Sequence, residues 1–387
     1  VRDGFRGPIF STSGTRDLAA LLLPDSAHLQ EEEARYANEH GYSKHAPALP
    51  LYTVADAQAA LPLFQTLGYG IPKEIVPGVT LTFAQAGHIV GSALCTLELA
   101  GGQQRVVFTG DLGRYDAPIL RDPDPVARAT TLVTESTYGD RTHSSVPAIE
   151  ALAEAVATAI RRNGVVVIPA FAVGRTQEIL YDLRRLEEQR RIPILDVFID
   201  SPMACDATPI YLAHPEEHDV DMSELVRRGA SPLATRKMHI VTSVEQSKRL
   251  NARREPAIII SASGMATGGR VLHHLKHRLP DPKNTVLFVG YQAEGTRGRR
   301  LVDGEREIRI LGQMVKVNAQ IVSVSGFSAH ADWQEMLRWM KGFQSPPKQT
   351  LLVHGEPPAL EGLRARVAAT GWSVHVPDYL ETVQLDA

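Results

Sequence analysis

Between about residues 140 and 315 the sequence alternates short apolar runs with amphipathic stretches, and few architectures accept that alternation. Ile149, Leu152, Ala153, Val156, Ala159 and Ile160 fall on one face of a 3.6-residue helix. Val165, Val166, Val167 and Ile168 follow as an unbroken apolar run, the pattern of a strand buried on both faces. A second helical pattern covers 177–186, and strand patterns come at 194–199, 239–241, 257–260 and 285–289. Such strand–helix–strand units form an open, mostly parallel sheet, so this segment is expected to be an α/β domain of its own.

The flanks read differently. An apolar pair at 9–10 ends at Ser11, Thr12 and Ser13, which can cap a Leu-rich helix over 18–23. A short helix is expected over 54–63, with Asp56 in its first turn. From Val79 the pattern is strand-like, at 79–83, 94–99, 105–108 and 131–134, and it returns at 321–324 and 351–353. Polar residues follow several of these runs at once, and functional residues of α/β proteins concentrate at strand ends. A chain of 387 residues suits two domains, or one interrupted by another. The expected division is 1–139, 140–315 and 316–387, the outer two forming one domain around the middle one.

Hydrophobic residues at 43% and charged residues at 22% exclude a disordered chain. The net charge of −3 excludes a bulk polycation, but residues 227–309 hold 17 Lys and Arg against 7 Asp and Glu. Clusters such as Arg253, Arg254 and Arg297, Arg299, Arg300 in that stretch suit a polyanion. No run reaches 18 apolar residues and no basic stretch followed by an apolar one opens the sequence, so neither a membrane span nor a signal peptide is expected. Cys95 and Cys205 lack zinc-finger or disulfide spacing, and a reducing cytoplasm is the expected compartment.

Five short motifs carry candidate chemistry. His88 lies in Gly87-His88-Ile89-Val90-Gly91, where imidazole is free of bulky neighbours and can bind zinc. Asp111, in Thr109-Gly110-Asp111, can turn both carboxylate oxygens outward and bridge two metal ions. Glu135 opens Glu135-Ser136-Thr137-Tyr138-Gly139 and can orient a histidine. His330 stands among small residues in Ser328-Ala329-His330-Ala331-Asp332, with Asp332 placed to cap a helix from Trp333. His354 directly follows an apolar strand. Each alone has a bland structural reading; their order and common placement make them specific together. Two glycine-containing turns add phosphate candidates: Arg175 at a helix start, and the loop with Ser263, Gly264 and Arg270. Neither matches a nucleotide-binding fingerprint.

Together these motifs resemble the metallo-β-lactamase-fold nucleases with an inserted β-CASP domain, and the segments PAFAVGRTQE, DSPMA and SASGMATGGR look like that insert. The likeness runs from about residue 5 to the C-terminus and is greatest to the prokaryotic ribonucleases related to the eukaryotic pre-mRNA 3′-end cleavage endonuclease. It implies a four-layer αββα metallo-β-lactamase fold with an inserted α/β β-CASP domain. It also implies zinc-dependent hydrolysis of RNA, endonucleolytic with 5′-to-3′ exonucleolytic action as a further mode, and two Zn²⁺ ions in the family site. By resemblance His88, Asp111 and His354 are metal ligands, with Asp111 bridging. His330 contacts the scissile phosphate and protonates the leaving oxygen, and Glu135 supports it. Arg175, Ser263, Gly264, Arg270 and Arg297 are the expected phosphate and RNA contacts. Single-stranded RNA is the expected partner, with a homodimer as a further arrangement and no membrane.

The family's His-x-His-x-Asp-His motif does not occur in this sequence, and His28, His40 and His45 lack its spacing. The expectation is that the sequence, which opens at Val1, starts after that motif, leaving the chain short of metal ligands. The alternatives are a non-catalytic RNA-binding paralogue and a DNA-processing relative.

Overall fold

The computed structural model describes residues 1–385. Two large sheets organise it. One is mixed and seven-stranded, in the order Val374–His375, Gln349–Leu352, Thr131–Thr134, Gln104–Phe108, Ala93–Leu99, Val79–Gln85, Lys73–Val76. The strands Gln349–Leu352, Thr131–Thr134 and Gln104–Phe108 pair in parallel. Ala93–Leu99 runs antiparallel to both of its neighbours. Val79–Gln85 therefore points the same way as the three parallel strands, and four C-terminal ends line up along one edge. Leu94, Val107, Leu132 and Leu352 of this sheet bury themselves with Met336 and Trp339 of the helix Trp333–Met340, and with Leu363 and Val367 of the helix Pro357–Ala368. Asp332 caps the first of these helices through a reciprocal capping box with Glu335, as its position before Trp333 suggests.

The second sheet is six-stranded and wholly parallel, in the order Met238–Ile240, Asp196–Ile199, Ala257–Ser261, Val165–Pro169, Thr285–Val289, Gln320–Val324. Its central strands are buried throughout because helices cover both faces. Val166, Ile168, Ile258 and Ile260 join one buried cluster, and Val165, Val167 and Ile259 join the other.

One expectation needs correction. The strand Gln320–Val324 pairs along its whole length with Thr285–Val289, so the insert's sheet extends past residue 315 to Val324. A short apolar run carries no label for the sheet it will join. Outside the insert, the described residues also form a two-stranded parallel ladder of Ile9–Ser11 with Phe64–Thr66.

The expected N-terminal helix is longer than the Leu-rich core, running Ser13–His40 from a Thr12 cap to Gly41 in the left-handed region. Leu18 on this helix packs with Val90, Ile119, Tyr181 and Tyr211, which ties the two units together at the base of the cleft between them. Cys95 and Cys205 are free thiols. No described helix is long and apolar enough to cross a membrane.

Candidate functional site

The aligned strand ends of the mixed sheet deliver His88, Asp111, Glu135 and His354, while the last strand of the parallel sheet leads into the loop that carries His330. The loops around His88 and Asp111 lie backbone against backbone. Gly113 donates its N–H to Ala86 at 2.7 Å, and a Cβ at Gly113 would sit 2.1 Å from the Gly87 carbonyl oxygen. Only glycine permits that approach, so the pair of loops sets the distance between imidazole and carboxylate. His354 adopts φ 52°, rare for a non-glycine residue. Ser136 braces it, with its Oγ donating to the Val353 carbonyl at 2.9 Å.

Asp111 divides its oxygens between two imidazoles. Oδ2 lies 3.7 Å from His88 Nε2 and Oδ1 lies 3.2 Å from His354 Nδ1. Asp111 and His354 are exposed, with side-chain exposures of 37% and 61%, whereas His88 is largely enclosed. Burial pushes the His88 pKa down to about 4, and the neighbouring His330 adds to the effect. A neutral imidazole is the form that ligates metal. Two imidazoles and a carboxylate are ordinary nitrogen and oxygen ligands for zinc, and donor atoms of His88, Asp111 and His330, and of Asp111, Glu135 and His354, form groups within 4.8 Å.

Glu135 and His330 form a separate unit within this cluster. His330 Nδ1 lies 3.1 and 3.0 Å from the two Glu135 oxygens. Glu135 is almost fully buried, and its carboxylate also accepts the Leu112 N–H at 2.7 Å and the Thr137 N–H at 3.3 Å. Burial opposes the charge on each partner. The hydrogen bond and opposite charge outweigh it, so the His330 pKa is raised and the Glu135 pKa lowered. With Nδ1 committed to Glu135, Nε2 is the nitrogen left for a ligand. The rings of His88 and His330 lie 4.5 Å apart, so the Glu135–His330 pair adjoins the metal-type donors.

The sequence reading missed the frame that holds this loop. His143 Nε2 lies 2.9 Å from the His330 carbonyl oxygen, and the His143 backbone N–H donates to Asp332 at 2.8 Å. Arg114 donates to the Gly326 carbonyl at 2.7 Å, and Ala331 donates to the Leu112 carbonyl at 2.8 Å. The closeness of His143 to Glu135 in the chain was the available signal. Its partner lies 187 residues away, where no local pattern points.

The residues expected at phosphates separate. Arg175 lines the cleft of about 670 Å³ that runs past His88 and His330, pairs with Glu178 and lies 5.7 Å from the Phe327 ring centre. Ser263 accepts the Thr267 N–H at 3.0 Å, closing its own loop, and Gly264 lies against Phe171. Arg270 turns into the insert and donates to buried Asp200 at 2.7 Å. Arg297 donates to the backbone carbonyls of Thr267 and Arg309 at 2.9 and 3.0 Å.

The fold and this cluster define a class: a two-unit α/β protein with a histidine–carboxylate site of metal-binding type at the strand ends, in the cleft between its units. Residues 176–301 match the Beta-Casp domain, and residues 314–377 match the Zn-dependent metallo-hydrolase RNA specificity domain. Ribonuclease TTHA0252 of Thermus thermophilus is 33% identical over 383 residues, covering 99% of this chain and 83% of that protein. Transcription termination factor FttA of Pyrococcus abyssi is 34% identical over 394 residues, covering 98% of this chain. FttA of Methanosarcina mazei is 34% identical over 376 residues, covering 94% of this chain. The chain spans 58% and 56% of those two FttA proteins. The chain belongs to the β-CASP ribonuclease family of the metallo-β-lactamase fold.

Proposed function

We propose that the cleft binds single-stranded RNA and that its side chains serve zinc-dependent hydrolysis of a phosphodiester bond. The observation that carries this reading is the Glu135–His330 pair set beside Asp111, whose two oxygens face two different imidazoles. His88, Asp111 and His354 would hold zinc, which would supply Lewis-acid neutralisation of the phosphate charge. His330 would present Nε2 to the substrate and give its proton to the departing oxygen, as a general acid within hydrogen-bond reach can. Glu135 keeps that ring oriented and its pKa raised, which favours the proton-bearing form. The ladder of Ile9–Ser11 with Phe64–Thr66 would be this chain's share of the second sheet of a four-layer domain.

Three ligand residues do not complete two four-coordinate zinc sites. That supports weak zinc retention by this chain alone, and it favours a second reading in which the chain binds RNA without cutting it. The test is to incubate the chain with zinc and labelled single-stranded RNA or DNA, beside the variant His330→Ala. The hydrolytic reading expects RNA cleavage that falls ~10²–10⁴-fold in the variant with zinc content unchanged. RNA that is bound but uncut, with zinc retained, would establish the second reading instead. Cutting of DNA in preference to RNA would overturn the substrate assignment.

A further inference from the structure

We propose that the Phe171 ring is a stacking platform for a nucleobase of single-stranded RNA lying in the cleft; this rests on the RNA reading above and names a contact within it. Every residue of the strands Val165–Pro169 and Ala257–Ser261 is buried. Phe171, two residues beyond the first of these strands, is nonetheless 45% exposed and lines the cleft with Met265 and Tyr291. A large aromatic side chain left open on the wall of a cleft calls for an occupant with a flat, apolar face.

The ring is held in place from two directions. The Phe171 carbonyl accepts both the Thr176 N–H and the Thr176 hydroxyl, at 3.2 and 2.8 Å, which fixes the backbone. The Cδ2–Cε2 side of the ring rests on Gly264, where a Cβ would come within 3.0 Å of Cδ2 and 3.2 Å of Cε2. Gly264 thus gives the ring a backing that a larger residue would remove. What remains exposed faces the cleft, where Arg114, Arg175 and His330 also stand.

A nucleic acid strand offers flat bases to the ring and anionic phosphates to a cleft wall that carries Arg114, Arg175 and His330. Every base has a π face, so a platform of this kind binds without strong sequence preference. Tyr138 and Tyr211 are buried and unavailable for the same role.

The test measures binding of a short labelled single-stranded oligoribonucleotide to the metal-free full chain by fluorescence anisotropy, so cleavage plays no part. Phe171→Ala is expected to weaken binding by about 5- to 150-fold, the range for loss of one base–aromatic stack. Phe171→Leu keeps the apolar bulk, removes the π face and is expected to lose affinity comparably. Phe171→Trp is expected to bind at least as tightly, with its emission quenched by the RNA. The slope of log affinity against log salt is expected to stay the same in all three, because no phosphate contact is lost. Equal affinity of the Ala and Leu variants with the unaltered chain would overturn the platform and leave the RNA reading standing. Full rescue by Leu would reduce Phe171 to apolar packing and also overturn it. Failure of the unaltered chain to bind the oligoribonucleotide would overturn both.

Discussion

Replacing His330 with Ala is expected to destabilise the metal-free chain in a pH-dependent way, apart from any effect on chemistry. The change strands Glu135, which is 2% exposed and keeps only the Leu112 and Thr137 backbone donors. Removing one partner of a buried ion pair costs ~3–5 kcal/mol. The two remaining donors place His330→Ala near the low end, at about 3 kcal/mol. With a urea dependence near 3 kcal/mol/M for a chain of this size, the unfolding midpoint falls by about 1 M. His330 has a raised folded pKa, so its contribution is complete below the ordinary value of 6.5 and fades as pH rises through the folded value. Glu135 has a lowered folded pKa, so its contribution is complete above the ordinary value of 4.5 and fades as pH falls through the folded value. The pair therefore stabilises most between those two ordinary values, and the cost of His330→Ala is larger at about pH 6 than at about pH 9. Adding Glu135→Gln removes the stranded charge, so the double variant is expected to recover ~1 kcal/mol over His330→Ala. Urea titrations of the two variants and the unaltered chain at both pH values measure this. An equal midpoint loss at both pH values, or a double variant no more stable than His330→Ala, refutes the ion-pair account.

Asp111→Ala is expected to lower zinc affinity by at least ~10-fold in equilibrium dialysis, because even residues that only orient ligands cost that much. His143→Ala is expected to speed amide exchange of Ala331 by about 5- to 30-fold, read by hydrogen–deuterium exchange, as the clamp on the His330 loop is lost. Asp200→Asn breaks a buried network in which Asp200 meets Ser247, His274 and Arg270. It is expected to cost ~3–5 kcal/mol near neutral pH. Asp200 has a lowered pKa, so its contribution is complete above its ordinary value of 3.8, and the thermal midpoints of variant and unaltered chain are expected to converge as acid protonates it. Replacing Arg297, Arg299 and Arg300 with Ala is expected to change the salt slope of RNA binding by well under the ~2 of three lost phosphate contacts. Arg299 and Arg300 already pair with Asp303 and Glu305, and Arg297 with backbone carbonyls.

The local pattern of the sequence specified the elements, and the structure keeps them: the apolar strand at Val165–Pro169, the amphipathic helix Ala148–Arg161, and the caps at Thr12 and Asp332. These depend on near neighbours, since helix periodicity and capping act over three or four residues. The placement of His88, Asp111, Glu135 and His354 after apolar runs was legible for the same reason, because a strand ends where its apolar run ends. Tertiary structure alone decided who meets whom. It assigned Gln320–Val324 to the parallel sheet and paired Glu135 with His330 across 195 positions. It gave the two oxygens of Asp111 to two different histidines, and it turned Arg270 inward to Asp200. A buried charge must find a partner or forgo its charge, and an arginine in sequence looks the same whether that partner is a phosphate or an aspartate. The choice is made by which groups the packed sheets bring within about 3 Å of one another, at separations where sequence carries no pattern.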